Sequence, residues 1–390
     1  MSSSSRPIDY SKVDRNRSDL PSTSACGIMN KPKILVLLPF LVQGALSINV
    51  MRAMRARGFE VTIAFCTDAS AVYKPDPLED FVADGCAIDL IGVNHPLRPQ
   101  LLLKEIDGRG IDLVLQIGAD DLYHQLPYLK ERRPGVRLVD TLYNEFGHTI
   151  NHFLYESCYD GVIVESEYMR RFVERSSFKQ DPNVVVVPNG VDLNVFQPAK
   201  LRDVKRPLTV GYVGRMSDEK NPLGFVSMAE ALFERVPNVL FEMYGSGGIA
   251  DLVRQRVEES EARSRIKYKG FVEHTPDALH NLDVLVLPSK FDGRPNIVME
   301  ANACGVPVIA APVGGVPEMI EVGRNGDLAL PGETQRISEL LLEWSEHPET
   351  LRRLKSRSVE MALERFGRAT MLDAYENAFC NFVGEAAGQV

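Results

Sequence analysis

Short, continuous apolar runs alternate along most of this chain with longer stretches that mix apolar and polar residues. Runs such as residues 34–38 and 284–287 are apolar at every position, whereas residues 46–57 carry apolar residues at helical spacing and stop before Gly58. Continuous apolar runs are typical of strands buried on both faces, as in parallel sheets that helices cover. We therefore predict an α/β protein. The predicted strands lie at residues 34–38, 60–66, 88–93, 113–117, 137–142, 161–165, 184–187, 208–213, 239–244, 266–268, 284–287 and 306–310.

The alternation of strands and helices breaks once, near the middle of the chain. Residues 188–192 read Pro-Asn-Gly-Val-Asp, a turn cluster, and a polar stretch with four basic residues continues to residue 207. We interpret this stretch as a linker between two doubly wound parallel-sheet (Rossmann-like) domains that face each other across a cleft. The predicted divisions are a disordered tail at residues 1–32, a first domain at 33–198, a linker at 199–207, a second domain at 208–368 and a C-terminal helix at 369–390.

Composition limits the function classes. The 390 residues carry a net charge of -9, which argues against a nucleic-acid binder. No uncharged apolar run reaches the roughly 18 residues of a membrane span, and the Ser-rich first 30 residues lack the apolar core of a signal peptide. The six scattered cysteines are typical of reduced core thiols. We expect a cytoplasmic protein, with contact at the inner face of a membrane left open.

The most informative motif spans residues 288–309, where an apolar run ends, a Gly/Pro/Asn loop opens a short helix and a second apolar run follows. Loops at the carboxyl ends of parallel strands bind ligands, and the free N–H groups of a helix start favour anions. Asp292 and Arg294 lie in this loop, and Glu300 lies in the helix. The motif predicts a site for a ligand that has both phosphate and hydroxyl groups, such as a nucleotide-sugar.

A second motif opens the second series of strands. Gly214 and Arg215 end a strand, and Lys220 follows five residues later, before a predicted helix. Glycine allows a ligand to approach the backbone closely, arginine binds phosphate through two parallel hydrogen bonds, and lysine adds a point charge. Taken alone, the motif is more typical of a solvated loop. His274 and His280 have no partners at metal-ligand spacing, and we interpret them as ordinary polar residues.

Together these motifs resemble the retaining glycosyltransferases of family 4, which have the GT-B fold. The resemblance covers the chain from about residue 33, but it is specific only from residue 188 to about 326. The matching segments are Pro188-Asn189-Gly190-Val191-Asp192, Gly214-Arg215 with Lys220, Tyr244-Gly245-Ser246-Gly247, Gly270-Phe271-Val272, Pro288-Ser289, the element from Asp292 to Glu300, residues 303–308 and Gly314-Gly315-Val316-Pro317-Glu318.

The resemblance implies roles for single residues. Arg215 and Lys220, beside Gly214, would hold the diphosphate of the donor. Glu300 would bind the ribose hydroxyls, and the backbone of Val272 would contact the base. Asp292, with Arg215 and Lys220, would form the catalytic set, and the C-terminal helix would pack back on the first domain. The loop that would line the sugar and the distal phosphate continues through Gly293, Arg294, Pro295, Asn296 and Ile297.

No metal and no cofactor are expected, because fixed cations and oriented N–H groups can stabilise a leaving diphosphate, and the chain has no Asp-x-Asp metal motif. One departure is Asp292 itself, since the family usually has glutamate there; a shorter carboxylate could change the sugar preference or the rate.

The first half is less specific. The family's glycine turn is reduced to Gly44, and His148 is the candidate for its acceptor-side histidine, with His152 one helical turn later. A surface histidine without a catalytic role is an equally good interpretation of either. No nucleophilic carboxylate is evident on the acceptor side, so the resemblance favours a front-face route.

The leading hypothesis is a retaining, metal-independent hexosyltransferase that moves a sugar from a UDP- or GDP-sugar to a saccharide or lipid-linked acceptor, in glycan or glycolipid biosynthesis. A second hypothesis is a non-catalytic protein of this fold that binds nucleotide-sugars. A third is a sugar-nucleotide epimerase or a phosphorylase, because fold does not determine reaction. The sequence does not identify the base, the sugar, the acceptor or the oligomeric state.

Overall fold

The computed structural model describes residues 31–38, 46–65, 78–90, 96–199 and 207–387. Within them, the strands form one seven-stranded and one six-stranded sheet, in the orders β3-β2-β1-β4-β5-β6-β7 and β10-β9-β8-β11-β12-β13, and every pairing is parallel. The predicted fold class is confirmed. The strands are β1 (Ile34–Leu37), β2 (Val61–Phe65), β3 (Ala87–Asp89), β4 (Leu113–Gln116), β5 (Arg137–Leu142), β6 (Gly161–Val164), β7 (Val184–Val186), β8 (Leu208–Val213), β9 (Val239–Tyr244), β10 (Ile266–Gly270), β11 (Val284–Leu287), β12 (Val308–Ala310) and β13 (Gly326–Leu328).

Helices cover both sheets. The described α-helices are α1 (Leu46–Ala56), α2 (Glu79–Ala83), α3 (Arg98–Arg109), α4 (Leu126–Arg132), α5 (Thr149–Leu154), α6 (Glu167–Ser176), α7 (Pro222–Leu232), α8 (Ala250–Glu259), α9 (Thr275–Leu279), α10 (Asn296–Ala303), α11 (Thr334–Glu346), α12 (Pro348–Arg365) and α13 (Arg368–Ala387). None of them combines the length and the apolar character needed to cross a bilayer.

The order of the strands determines where ligands can bind. In each sheet the first strand in sequence, β1 or β8, lies in the middle, between the second strand and the fourth, so the winding direction reverses at that point. The loops that leave the carboxyl ends of two such neighbouring strands diverge to opposite faces and open a crevice, the usual ligand site of open α/β sheets. In the second domain these are the loops after β8 and β11.

The predicted and observed strands differ mainly at β13 and β3, and elsewhere by one or two residues at the ends. β13 was not predicted, because its sequence Gly-Asp-Leu has no apolar run and it is a strand only through its pairing with β12. β3 ends at Asp89, and residues 91–93 of the predicted strand lie outside the described residues. Cys86, Cys158 and Cys304 are free thiols as expected, whereas Cys380 is disulfide-bonded, which the expectation of reduced thiols did not include.

The chain passes between the two domains twice, and the two crossings lie side by side. The Val191 N–H donates to the Phe366 carbonyl (2.8 Å), and the Arg368 N–H donates to the Val191 carbonyl (2.9 Å). Leu193 and Phe196 already pack on the core of the second domain. The chain therefore reaches that domain ahead of the polar stretch predicted as the linker, of which residues 200–206 lie outside the described residues.

The domains also touch through the backbone of the loop after β11. A Cβ atom on Gly293 would overlap with the Tyr143 carbonyl oxygen and with Oε1 of Glu165, both of the first domain. Glu318 of the second domain accepts from the backbone N–H groups of Glu167 (3.0 Å) and Tyr168 (2.6 Å) at the start of α6. A carboxylate at that position complements the helix dipole.

The last helix contributes to the core of the first domain, and one of its aromatic side chains tests that packing. Phe379 is fully buried and lies edge-on against Phe59, with ring centroids 6.1 Å apart. Phe379→Ala should lower the free energy of unfolding by about 3–5 kcal/mol, because the surrounding side chains cannot fill the cavity that the lost ring leaves. Denaturant unfolding measures this, with the exposed Asn381→Ala as the control, expected to change stability by no more than about 0.5 kcal/mol. Equal effects of the two substitutions would contradict the packing.

Gly293 tests the contact between the domains. Gly293→Ala should force them apart, because the added methyl group would overlap with Tyr143 and Glu165. Small-angle scattering should give a larger radius of gyration than for the wild type. Gly248→Ala is the matched control, since nothing lies within 4 Å of the Cβ it adds. If Gly293→Ala is as compact as the wild type and equally stable, the contact does not exist in solution.

Candidate functional site

The loop after β8 brings Gly214 and Arg215 to the crevice. The Tyr212 hydroxyl donates to the Arg215 carbonyl (2.6 Å), and the Gly214 N–H donates to the Tyr244 carbonyl (3.0 Å). The glycine-rich loop after β9 lies directly against this backbone: a Cβ on Gly245 would overlap with the Gly214 carbonyl. This loop therefore fixes the shape of the Gly214–Arg215 turn.

Lys220 reaches the same crevice because the segment before α7 is tied to the loop after β11. Asn221 adopts φ 53°, and its side chain accepts from the Gly224 N–H (3.1 Å) as the N-cap of α7. The same side chain donates to the Pro288 carbonyl (3.0 Å), and the Lys290 N–H donates to the Glu219 carbonyl (2.8 Å). Lys220, at the end of the short turn Asp218–Lys220, is thus held beside the loop that contains Asp292.

Lys220 and Asp292 form an ion pair, with 2.8 Å between Nζ and Oδ2. The Ser289 hydroxyl also donates to this oxygen (3.2 Å), and the Asp292 side chain is only 7% exposed. The structure therefore brings together two of the three residues predicted to be catalytic. A charge-assisted pair of this kind fixes both side chains and leaves the second carboxylate oxygen and further N–H donors for a ligand.

Arg215 lies at the mouth of the crevice. Its side chain is 67% exposed, and Glu219 is 3.4 Å away. An exposed pair of this length contributes little to stability, so the guanidinium is readily redirected to an anion.

Helix α10 points its N-terminus at the crevice. Pro295 precedes the helix and no side chain caps it, so the first N–H groups, at Asn296 and Ile297, are open to an anion. Asn296 is exposed, and Ile297 packs on the domain core. The family resemblance assigns this part of the loop to the distal phosphate, and that assignment stays a prediction.

Glu300 lies one turn further along α10, half-buried. Burial raises the pKa of its carboxyl to about 7. Burial and the Glu300 charge also raise the pKa of the Cys304 thiol, one helical turn away, to about 12. A carboxyl with such a pKa is well suited to hydrogen-bonding hydroxyl groups, because it can both donate and accept near neutral pH.

Arg294 does not face the crevice as a free cation. It is 7% exposed, lies over the Phe366 ring (5.6 Å to the centroid), and its Nε has no hydrogen-bond partner among the described residues. Burial lowers its pKa, an effect that the Glu165 carboxylate opposes. Its neighbour Pro295 is buried as well, so only part of the predicted donor loop is open to solvent.

Val272 and His148 have contacts outside the ion pair. Val272 follows β10, two strands away from β8, and packs on the core. His148 directs Nε2 to the Thr141 carbonyl (3.1 Å) and packs against Gly118, whose φ is 65°. Gly44 lies outside the described residues.

His152, the alternative histidine, is buried rather than acceptor-facing. Its Nδ1 lies 2.8 Å from Oδ2 of the fully buried Asp140, which also accepts from the Tyr123 hydroxyl (3.1 Å). The His152 ring stacks on Tyr159 at 5.2 Å. This network belongs to the interior of the first domain.

A cavity of about 240 Å³ lies between the domains beside Asp292. The rings of Phe146 and Phe291 line it and contact each other, with centroids 5.0 Å apart and planes tilted by 47°. The Tyr168 hydroxyl donates to Glu145 (2.7 Å). The residues that line the cavity are Asn144, Glu145, Phe146, Tyr168, Met169, Lys290, Phe291, Asp292, Gly293, Val313 and Gly314.

Sequence reasoning missed Glu165, which directly follows β6. Burial raises the pKa of this carboxyl to about 8; Asp292 adds to the shift and Arg294 opposes it. Only one signal was available in the sequence, an acidic residue at the carboxyl end of a strand predicted to be buried.

The chain resembles curated glycosyltransferases over part of its length. It is 34% identical over 148 residues to UDP-Gal:alpha-D-GlcNAc-diphosphoundecaprenol alpha-1,3-galactosyltransferase of Escherichia coli, which covers 35% of this chain and 38% of that protein. It is 30% identical over 187 residues to 2-deoxystreptamine N-acetyl-D-glucosaminyltransferase of Streptomyces fradiae, covering 47% and 44%. The chain therefore spans less than half the length of these two relatives.

Solved structures match over nearly the whole chain. Alr3699/HepE of Anabaena in complex with UDP has a TM-score of 0.71 at 19% identity, covering 90% of this chain and 100% of that one. The lipopolysaccharide outer core galactosyltransferase WaaB has a TM-score of 0.68 at 16% identity, covering 90% and 99%. At these identities the likeness establishes the fold, GT-B.

Family models match both halves of the chain. The model described as Glycosyltransferase Family 4 matches residues 44–195, and the model described as Glycosyl transferases group 1 matches residues 196–361. These two matches adjoin and leave only the ends of the chain unmatched. The resemblance inferred from the sequence motifs is thereby confirmed: this chain belongs to the family 4 glycosyltransferases.

Proposed function

We propose that this protein transfers a sugar from a nucleoside-diphosphate sugar to an acceptor hydroxyl, with retention of anomeric configuration and without a metal. The observation that carries the proposal is the Lys220–Asp292 ion pair, at the crevice between β8 and β11 and close to the uncapped start of α10. It pairs a cation suited to phosphate with a carboxylate suited to a sugar hydroxyl.

In this proposal the second domain holds the donor through its charges. Lys220, Arg215 and the N–H groups at Asn296 and Ile297 stabilise the charge that develops on the leaving diphosphate. Glu300 binds the ribose hydroxyls, and the backbone near Val272 contacts the base of the donor nucleotide. Positive charge on three sides of the diphosphate replaces a metal ion in this role. Within the described residues, no group of three or more His, Cys, Asp or Glu side chains is placed to hold one.

Asp292 orients the sugar by accepting a hydrogen bond from one of its hydroxyls. The C1–oxygen bond to the diphosphate breaks and a C1–oxygen bond to the acceptor forms on the same face of the ring. The acceptor's proton passes to the leaving phosphate oxygen, so no protein nucleophile is required. His148 has no direct role in this route, since Nε2 already faces the Thr141 carbonyl.

The cavity beside Asp292 is where we place the acceptor. Both domains line it, its aromatic rings suit a saccharide ring, and Glu145 and Lys290 offer groups for hydroxyls. The relative from E. coli is named for a UDP-galactose donor and a diphosphoundecaprenol-linked acceptor, and a structural neighbour was crystallised with UDP-glucose. These names support a UDP-sugar donor and a saccharide acceptor, free or lipid-linked, in glycan or glycolipid biosynthesis.

Release of nucleoside diphosphate tests the proposal. With a panel of UDP- and GDP-sugars and of saccharide and lipid-linked acceptors, the protein should release diphosphate faster when a suitable acceptor is present. NMR of the product should show the donor's anomeric configuration, and EDTA should leave the rate unchanged. Binding of nucleotide-sugar without turnover would favour the non-catalytic alternative, and a rate that falls with EDTA and returns with Mn²⁺ would overturn the metal-free mechanism.

Asp292→Asn separates sugar recognition from nucleotide binding. Turnover should fall by about 10- to 150-fold, the equivalent of the roughly 1.5–3 kcal/mol of a hydrogen bond to a charged group, while UDP alone binds as before. Asp292→Glu, which keeps the charge, should be tolerated or should change the preferred sugar.

Asp251→Asn is the matched control, because that side chain is 94% exposed on α8. The contrary result would be normal turnover by Asp292→Asn with only a lower melting temperature. In that case the carboxylate stabilises the loop, as a capping residue does.

A further inference from the structure

Glu165 contacts the donor loop from the opposite domain. It follows the last residue of β6, at the carboxyl edge of the first sheet, and is 6% exposed. Its Oε1 lies against the Gly293 backbone so closely that a Cβ there would overlap with it. The Arg294 backbone also faces this carboxyl and opposes the rise in its pKa.

A second contact links Glu165 to the start of α10. The Asn189 side-chain amide donates to Oε2 of Glu165 (2.9 Å) and lies 3.5 Å from Oδ1 of Asn296. Asn189 is itself buried, at the first crossing between the domains. The carboxyl is thus connected to both ends of the segment from Gly293 to Asn296.

Burying a carboxyl here is unfavourable, which argues against an incidental position. The groups that face it are the Arg294 guanidinium, the Asp292 carboxylate and the phenols of Tyr143 and Tyr375. The only cation in this set, Arg294, is itself destabilised by burial. Buried titratable groups with strongly shifted pKa values cluster at functional sites.

We propose that Glu165 is a positioning residue of the donor site: from the first domain it holds residues 293–296 at the geometry that the sugar and the distal phosphate require. It acts through the Gly293 and Arg294 backbone and through Asn189, and it does not touch the donor. The proposal rests on the proposed function. It adds that the first domain completes the donor site, so that catalytic geometry requires the domains to be in contact.

The neutral carboxyl is the form that suits this role. Ionised Glu165 would add a second negative charge beside Asp292 and the donor diphosphate, pushing the loop away. Because the folded-state pKa is raised from 4.5 to about 8, the neutral form prevails at neutral pH. The contribution of the protonated Glu165 carboxyl to the free energy of unfolding is complete below pH 4.5. It is lost as the pH rises through about 8.

Kinetics of Glu165→Gln and Glu165→Ala test the proposal. Glu165→Ala should lower kcat by about 10- to 100-fold, with UDP affinity unchanged, because a small displacement of the loop costs that much. Glu165→Gln mimics the neutral carboxyl and should keep most of the activity. In the wild type kcat/KM should fall above a pH of about 8, and in Glu165→Gln this fall should be absent. Glu174→Gln, on the exposed face of α6, is the matched control and should behave as the wild type.

Hydrogen exchange makes the test independent of turnover. Residues 293–296 should exchange faster in Glu165→Ala than in the wild type, even if no sugar transfer is found. Failure of the proposed function would thus leave this readout intact. Unaltered kcat and unaltered exchange in Glu165→Ala would overturn the inference. If Glu165→Ala does not fold, a fall in kcat/KM above pH 8 that persists in Glu165→Gln would overturn it.

Discussion

The donor site depends on one steric constraint, the close approach of the backbone at residues 292–293 to its neighbours on two sides. Gly314, at φ 53°, lies against the Asp292 carbonyl, and the Gly315 N–H donates to the Gly293 carbonyl (2.9 Å). On the other side the first domain leaves no space for a Cβ at Gly293. Because neither Gly293 nor Gly314 has room for a Cβ, the loop backbone lies directly against Gly314 on one side and against the Tyr143 carbonyl and the Glu165 carboxyl on the other. These contacts hold the loop where Asp292 reaches Lys220.

The electrostatics of the site favour an anionic ligand. Lys220 is paired with Asp292, Arg215 contacts Glu219 only through an exposed pair, and the uncapped start of α10 adds partial positive charge from its N–H groups. Two carboxyls, the buried Glu165 and the half-buried Glu300, have raised pKa values and can stay neutral near such a ligand. Neutral carboxyls near the donor avoid repulsion that a diphosphate would otherwise meet.

The sequence predicted the two sheets and the loops that carry the candidate residues, because apolar runs and glycine loops are local signals. Gly214, Lys220, Asp292 and Asn296 could be placed at strand ends from the sequence alone. β13 could not be predicted, because only its pairing with β12 makes Gly326–Leu328 a strand. Glu165 was missed for a related reason. Nothing near it in sequence indicates that Gly293, 128 positions later, lies against it, since that contact exists only once both domains have formed.

The paired crossings suggest how closure and chemistry are coupled. Val191 and its neighbours bond to residues 366–368, and Asn189, two residues earlier, bonds to Glu165. A rotation of the domains about these crossings would therefore move Asn189, which holds Glu165. The same rotation would separate Glu165 from Gly293. Hinge closure around a ligand is a common motion of two-domain proteins. Here the hinge adjoins the donor loop, so a rotation that separates the domains would break the contacts of Glu165 and Asn189 to residues 293–296 together.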